Sequence, residues 1–201
     1  MVEESKWMAQ TREDPTRSTW YVERFRKMAA EGQDLAGEAR LIDAMVARAS
    51  RILDAGCGPG RVGGYLSTVG HVVVGVDVDP VLIAAAERDH PGPTWLVGDL
   101  AELDLPRRGV KDGFDAIVSA GNVMTFLAPS TRVAVLTRLA GHLHEEGRIV
   151  IGFGLDRDYE LDEFVTDVAT AELRFDSRFS TWDLRPFTEE SSFIVAVLSP
   201  K

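Results

Sequence analysis

Three glycines at alternate positions follow an apolar run that closes on an acid: Ile52-Leu53-Asp54-Ala55-Gly56-Cys57-Gly58-Pro59-Gly60. Such a run reads as a buried strand breaking into a tight loop, because glycine lets a backbone turn sharply and approach a ligand closely. A second apolar run, residues 72–76, ends in Asp77. An acid closing the second strand roughly 20 residues after a glycine loop suits a ribose diol, since a carboxylate accepts from both hydroxyls. Arg61 stands where the dinucleotide fingerprint has its third glycine, and no Lys-Ser or Lys-Thr pair follows, as it does in a phosphate-binding P-loop. The loop is therefore read as holding a nucleoside without a diphosphate.

Around this loop, strand and helix patterns alternate. Ile52 and Leu53 mark the first strand, and residues 61–69 form a short helix weakened by Gly63 and Gly64. Residues 72–76 form the second strand. Pro80 opens a helix with Val81, Leu82 and Ala85 inward, and Asp79 is placed to cap it. Strands over 95–97 and 114–119 come next, then an amphipathic helix over 131–143 ended near Gly147, and a strand over 148–153. Near-continuous apolar strands alternating with helices imply a parallel sheet covered on both faces. Further on, 159–171 reads as a helix. Residues 173–184 and 193–198 read as strands joined by a turn at Pro186, close enough to pair antiparallel.

The N-terminus reads differently. Residues 1–17 are polar, broken at Pro15 and expected to be mobile. A helix starts at Ser18, with Ser18 or Thr19 as its cap, and places Trp20, Tyr21, Arg24, Phe25 and Met28 on one face. A second helical pattern carries Leu41, Ile42, Met45 and Val46. The chain has 201 residues, 45% of them apolar, enough for one domain with a full core. It divides into an N-terminal helical cap or lid (1–45), a cofactor-binding core (46–155), and a C-terminal helix with antiparallel strands (156–201).

Net charge is −10, and no basic cluster exceeds Arg107-Arg108. This argues against a nucleic-acid partner gripped through phosphates and against an anionic membrane surface. No apolar stretch reaches transmembrane length, and the N-terminus lacks a secretory pattern, so a cytoplasmic protein is expected. With Cys57 as the one cysteine, an internal disulfide is impossible. The histidines, His71, His90, His142 and His144, show no metal-ligand spacing. His142 and His144 are read as surface residues at a helix end, and Cys57 as a small packed residue.

Asp-Ala-Gly-Cys-Gly-Pro-Gly (54–60), with Asp77 and the Gly98-Asp99 pair downstream, resembles the class I (Rossmann-like) S-adenosylmethionine-dependent methyltransferases, well over residues 45–155 and loosely beyond. The resemblance implies a seven-stranded, mostly parallel sheet with one antiparallel strand and helices on both faces, and S-adenosylmethionine as cofactor. It also implies roles. The backbone of Gly56, Cys57 and Gly58, in the loop that Gly60 completes, lines the methionine part, and Asp54 supports the ammonium group. Asp77 holds the ribose hydroxyls, and Val78 lies against the adenine. Asp99 accepts from the adenine amino group, and the backbone of Leu100 meets a ring nitrogen. Ser119 and Ala120 lie near the sulfonium.

Methyl transfer is an in-line displacement that positioning alone can drive, so a dedicated base is optional. After the fourth strand the chain reads Ser119-Ala-Gly-Asn-Val-Met-Thr-Phe126 and lacks the Asn/Asp-Pro-Pro-Tyr/Phe motif of relatives that methylate amino groups of bases or glutamine. With the acidic charge, this favours a small-molecule acceptor. Asn122 is the best polar contact near the transfer point, unless it satisfies its own loop. Tyr159, Asp158 and Glu163 are candidate bases. Trp20, Tyr21 and Arg24 are candidate lid residues, and Trp182 and Arg185 candidate substrate contacts. Two other readings stand beside this one. One is a non-catalytic S-adenosylmethionine-binding module. The other is an NAD-dependent oxidoreductase, which the missing third glycine opposes. The oligomeric state is not legible.

Overall fold

The computed structural model describes residues 2–201; Met1 lies outside them. Seven strands form one sheet: β1 (Arg51–Ala55), β2 (Val72–Asp77), β3 (Thr94–Val97), β4 (Phe114–Ser119), β5 (Leu143–Gly154), β6 (Leu173–Phe179) and β7 (Phe193–Pro200). Their order is β3-β2-β1-β4-β5-β7-β6. β1 to β5 pair in parallel, whereas β7 runs antiparallel to both β5 and β6. The sheet is thus mostly parallel with a single reversed strand, as the resemblance implied.

The eight α-helices of the described residues are α1 (Lys6–Glu13), α2 (Arg17–Ala30), α3 (Gly37–Met45), α4 (Arg61–Thr68), α5 (Pro80–Asp89), the short α6 (Val123–Phe126), α7 (Arg132–Ala140) and α8 (Leu161–Thr170). Val135, Leu136 and Leu139 of α7, with Phe164 and Val168 of α8, cover one face of the sheet. Ala39 and Ile42 of α3, with Val62 and Leu66 of α4, cover the other. Burial on both faces explains why the central strands carry uninterrupted apolar runs.

Four sequence expectations are corrected. Residues 6–13 are a helix, α1, held by the buried Trp7 and capped by the Ser5 hydroxyl, which accepts from the Met8 N–H. Neither Ser18 nor Thr19 caps α2: the helix starts at Arg17, after Thr16, and the Ser18 hydroxyl turns inward to Asp79. The helix expected over 131–143 ends at Ala140, because Gly141 stops it and Leu143 already pairs with Phe114 in the sheet. The strand expected over 173–184 stops at Phe179, and Pro186 forms one further bridge back to Phe179. As expected, Asp79 caps α5, accepting from the Val81 N–H at 2.8 Å. Among the described residues no helix is long and apolar enough to cross a membrane.

Candidate functional site

In an open α/β sheet, ligands settle beyond the carboxyl ends of the strands, where the strand order reverses. Here that point lies between β1 and β4. The glycine loop leaves β1 there, with the Gly56 and Cys57 N–H groups both donating to the Val76 carbonyl. Gly56 has φ +78°, and a Cβ on it would fall 2.4 Å from the Val123 side chain, so the loop can approach α6 only with glycine at this position. Gly60, at φ +84°, starts α4 from a left-handed conformation against Ala86 and Trp95.

A cleft opens between this loop, the ends of β2 and β3, and the β4–α6 turn. Asp77, Val78, Asp99, Leu100, Gly56 and Ala120 line it. A smaller compartment shares Tyr21, Gly56, Ala120 and Gly121 with it and adds Asp54, Cys57 and Arg61. Of the expected cofactor residues, Asp54, Gly56, Cys57, Asp77, Val78, Asp99, Leu100 and Ala120 line these two compartments, whereas Gly58, Gly60, Ser119 and Asn122 stand behind or beside them.

Each acid there has a defined setting. Asp77 accepts from the Gly58 N–H at 2.8 Å and from the Asp79 N–H at 2.9 Å. Burial pushes its carboxyl up to about 6. Asp54 accepts from the Gly63 N–H at 2.8 Å, and burial pushes it up to about 7. One Asp99 oxygen accepts from the Ala101 N–H at 2.8 Å. Its other oxygen has no protein partner among the described residues. Burial raises the Tyr21 phenol, which therefore stays protonated near neutrality. Burial likewise pushes the Cys57 thiol well up, so it packs against Ile83, Ala86 and Trp95 as a neutral side chain. Ser119 is fully buried at the end of β4, its hydroxyl without a protein partner.

These residues suit a cationic nucleoside. Carboxylates face both compartments, and apolar Val78, Leu82 and Leu100 flank Asp77 and Asp99. The Tyr21 ring lies 3.7 Å from where a Gly58 Cβ would stand, and its hydroxyl 3.8 Å from a Gly121 Cβ. Larger residues at these glycines would fill the space under the ring.

Several candidates lie elsewhere. Tyr159 is fully buried between Phe153 and Phe164, under the Arg132 guanidinium at 3.8 Å, and donates to Asp167 at 2.7 Å. Asn122 stands beside the cleft at φ +67°, but its Oδ1 accepts from the Gly154 N–H at 2.8 Å and ties the turn to β5. Trp20 is 59% exposed and Arg24 stands over it, so of the three lid candidates Tyr21 alone lines the cleft. Trp182 lies over Gly152 of β5, and the exposed Arg185 pairs with Asp183. Asp158 pairs with Lys6, and Glu163 with Arg132. His142 is half-buried, bridging the Arg138 carbonyl and the Leu105 N–H. Sequence reasoning missed Ser5, Trp7, Val123 and Phe126, which complete the walls. Trp7 left one usable signal: it is the lone aromatic residue in an otherwise polar stretch, residues 1–17.

A family model described as a methyltransferase domain matches residues 52–147. The crystal structure of a TehB-like SAM-dependent methyltransferase from Corynebacterium glutamicum superposes with a TM-score of 0.88 at 47% identity, covering 94% of this chain and 100% of that one. The 18S rRNA (guanine-N(7))-methyltransferase of Mus musculus is 43% identical over 65 residues, 32% of this chain and 23% of that protein. The dTDP-3-amino-3,6-dideoxy-alpha-D-glucopyranose N,N-dimethyltransferase of Streptomyces fradiae is 29% identical over 126 residues, 60% of this chain and 48% of that protein. The chain thus spans less than half the length of these two curated relatives.

Proposed function

Because the chain belongs to the S-adenosylmethionine-dependent methyltransferases of the Rossmann-like class, we propose that it transfers a methyl group to a small-molecule acceptor in the cytoplasm. The overall charge of −10 supports the acceptor class, and the cleft supplies no basic groove to offset it. Asp77, Asp99 and Tyr21 are the ionisable side chains lining its main compartment, and no lysine or arginine does. In the smaller compartment, Arg61 is already paired with Glu38. A polyphosphate backbone needs a basic track, and a net charge of −10 opposes one.

S-adenosylmethionine, when bound, supplies a methyl group already activated on a sulfonium. Asp77 keeps lone pairs beyond those used by Gly58 and Asp79, and these accept from the ribose hydroxyls. Asp99 takes the adenine amino group on its unpartnered oxygen, beside the backbone of Leu100, with Val78 against the ring. Asp54 and the backbone of Gly56 to Gly58 hold the methionine end, and the backbone of Ser119 and Ala120 borders the sulfonium. Trp7, Tyr21 and Phe126 keep water out. The neutral Tyr21 hydroxyl, at the junction of the two compartments, orients an acceptor by hydrogen bonding. Catalysis on this reading is alignment: the acceptor atom is held about 3 Å from the methyl carbon.

Calorimetric titration with S-adenosylmethionine and S-adenosylhomocysteine, with NAD as control, tests the site on wild type and Asp77→Ala. Wild type binds both, and the variant binds about tenfold or more weakly through lost ribose bonds. Labelled-methyl transfer to a panel of small O-, N- and C-nucleophiles, run beside a structured RNA, then tests the acceptor class. Label in the RNA alone reverses it, and binding without transfer to anything leaves a cofactor-binding module.

A further inference from the structure

Asp79, 3% exposed, collects donors from three separate elements. The Val81 N–H of α5 and the Trp7 indole N–H of α1 both reach it at 2.8 Å, and the Ser18 hydroxyl of α2 joins them. Capping α5 requires only the first of these. The other two arrive from the N-terminal helices, 72 and 61 residues away in sequence. The Asp79 backbone N–H in turn donates to Asp77 Oδ1 at 2.9 Å. One carboxylate thus joins the N-terminal helices to the loop that carries the ribose acid.

Trp7 is also part of the roof. Its ring stands edge-on to Tyr21 at 5.3 Å and to Phe126 at 5.5 Å, over the compartment that holds Asp77, Asp99 and Leu100. It is the sole buried residue of α1. The other long-range side-chain contacts of this segment, Lys6 with Asp158 and Glu3 with Ser130, are exposed. Exposed polar contacts hold weakly, so α1 docks chiefly through Trp7, with the half-buried Met8 packed beside it. A short helix with one buried anchor belongs to the low-stability part of a fold, which opens without global unfolding.

We propose that Asp79 is a positioning residue for the cofactor and Trp7 its latch. On this view α1 undocks to admit the nucleoside. Redocking of the Trp7 indole onto Asp79 then closes the adenosine compartment and steadies the Asp77 loop. The inference rests on the cofactor reading above, and its test separates the two.

Two measurements decide it. The first is hydrogen exchange over residues 5–13 with and without S-adenosylhomocysteine. The second is the dissociation rate of S-adenosylhomocysteine from wild type, Trp7→Phe and Ser18→Ala. Trp7→Phe keeps a ring in the roof and removes the indole N–H; Ser18→Ala removes a donor and leaves the roof untouched. The ligand is expected to slow exchange of residues 5–13 in wild type, and both variants to release it faster, Trp7→Phe by about tenfold. The urea midpoint of the unliganded protein moves little in Trp7→Phe, because α1 opens ahead of global unfolding, which a merely structural role for Trp7 does not predict. Unchanged release rates together with ligand-independent exchange overturn the latch while leaving the cofactor site standing. Failure of S-adenosylhomocysteine to bind wild type removes the cofactor reading and the latch together.

Discussion

Tyr159 and Asn122 both carry polar groups, and both spend them inside the fold. The Tyr159 hydroxyl donates to Asp167, far from the cleft. Tyr159→Phe removes one hydrogen bond, an expected loss of about 1 kcal/mol in urea unfolding with turnover per folded molecule unchanged. A fall in turnover beyond that would return Tyr159 to the reaction. Asn122→Ala loses the bond to Gly154 and forces alanine into a left-handed backbone. The two effects together are expected to cost about 2 kcal/mol, read as a lowered urea midpoint. The residues legible in the sequence were those whose position is fixed by a strand end: Gly56, Asp77, Val78, Asp99, Leu100 and Ala120 all line the cleft. Tyr159 was misplaced, and Asn122 left with two readings open, because spacing locates a Cα but does not say which distant group a side chain will meet. Trp7 was missed for the same reason, since its partner Asp79 is 72 residues away.

Elements follow periodicity, and where the apolar pattern was strong the elements stand where it put them, β4 at Phe114–Ser119 above all. The ends misread were those set by tertiary contacts. Leu143 continues the apolar rhythm of α7 and yet pairs with Phe114, because Gly141 breaks the helix and the sheet takes the next residues. α1 shows no apolar stripe, only Trp7 as a buried anchor with Met8 beside it. By propensity the two glycines of α4 weaken that helix, but packing accounts for them. A Cβ at Gly64 would lie 2.5 Å from the His90 ring and 2.9 Å from the His90 Cβ. On propensity alone Gly64→Ala would stabilise a helix by about 1 kcal/mol. Here the clash involves the root of a side chain, which cannot swing away, so overpacking outweighs propensity. The expected outcome is a loss of about 1–3 kcal/mol, seen as a lower melting temperature. A rise would mean that α4 and α5 separate easily.

At the scale of the whole molecule, two buried carboxyls set against one another make stability depend on pH. Burial holds Asp54 up to about 7 and Asp77 up to about 6, against an ordinary value of 3.8. An acid whose folded pKa is raised binds its proton more tightly folded than unfolded. Its contribution is therefore complete below the unfolded value and is lost as pH rises through the folded one. The carboxyls held low, among them Asp34, Asp43 and Asp115, act at the acidic end of the scale, below this window. His90, lowered by burial, works in the opposite direction between them, stabilising as pH rises. A ligand-induced shift cancels His90, which lies outside both compartments of the cleft. A cationic cofactor beside Asp54 favours the ionised carboxylate, so binding releases protons and tightens with pH. The rise in melting temperature given by S-adenosylmethionine is accordingly expected to be larger at pH 7.5 than at pH 5.5. Asp54→Asn keeps the shape and the acceptor for the Gly63 N–H but removes the titration. It is expected to flatten that pH dependence and to raise the stability of the unliganded protein at pH 7.5 relative to wild type. If the ligand-induced shift is the same at both pH values in wild type, Asp54 does not face the positive end of the cofactor. The ammonium must then be held elsewhere.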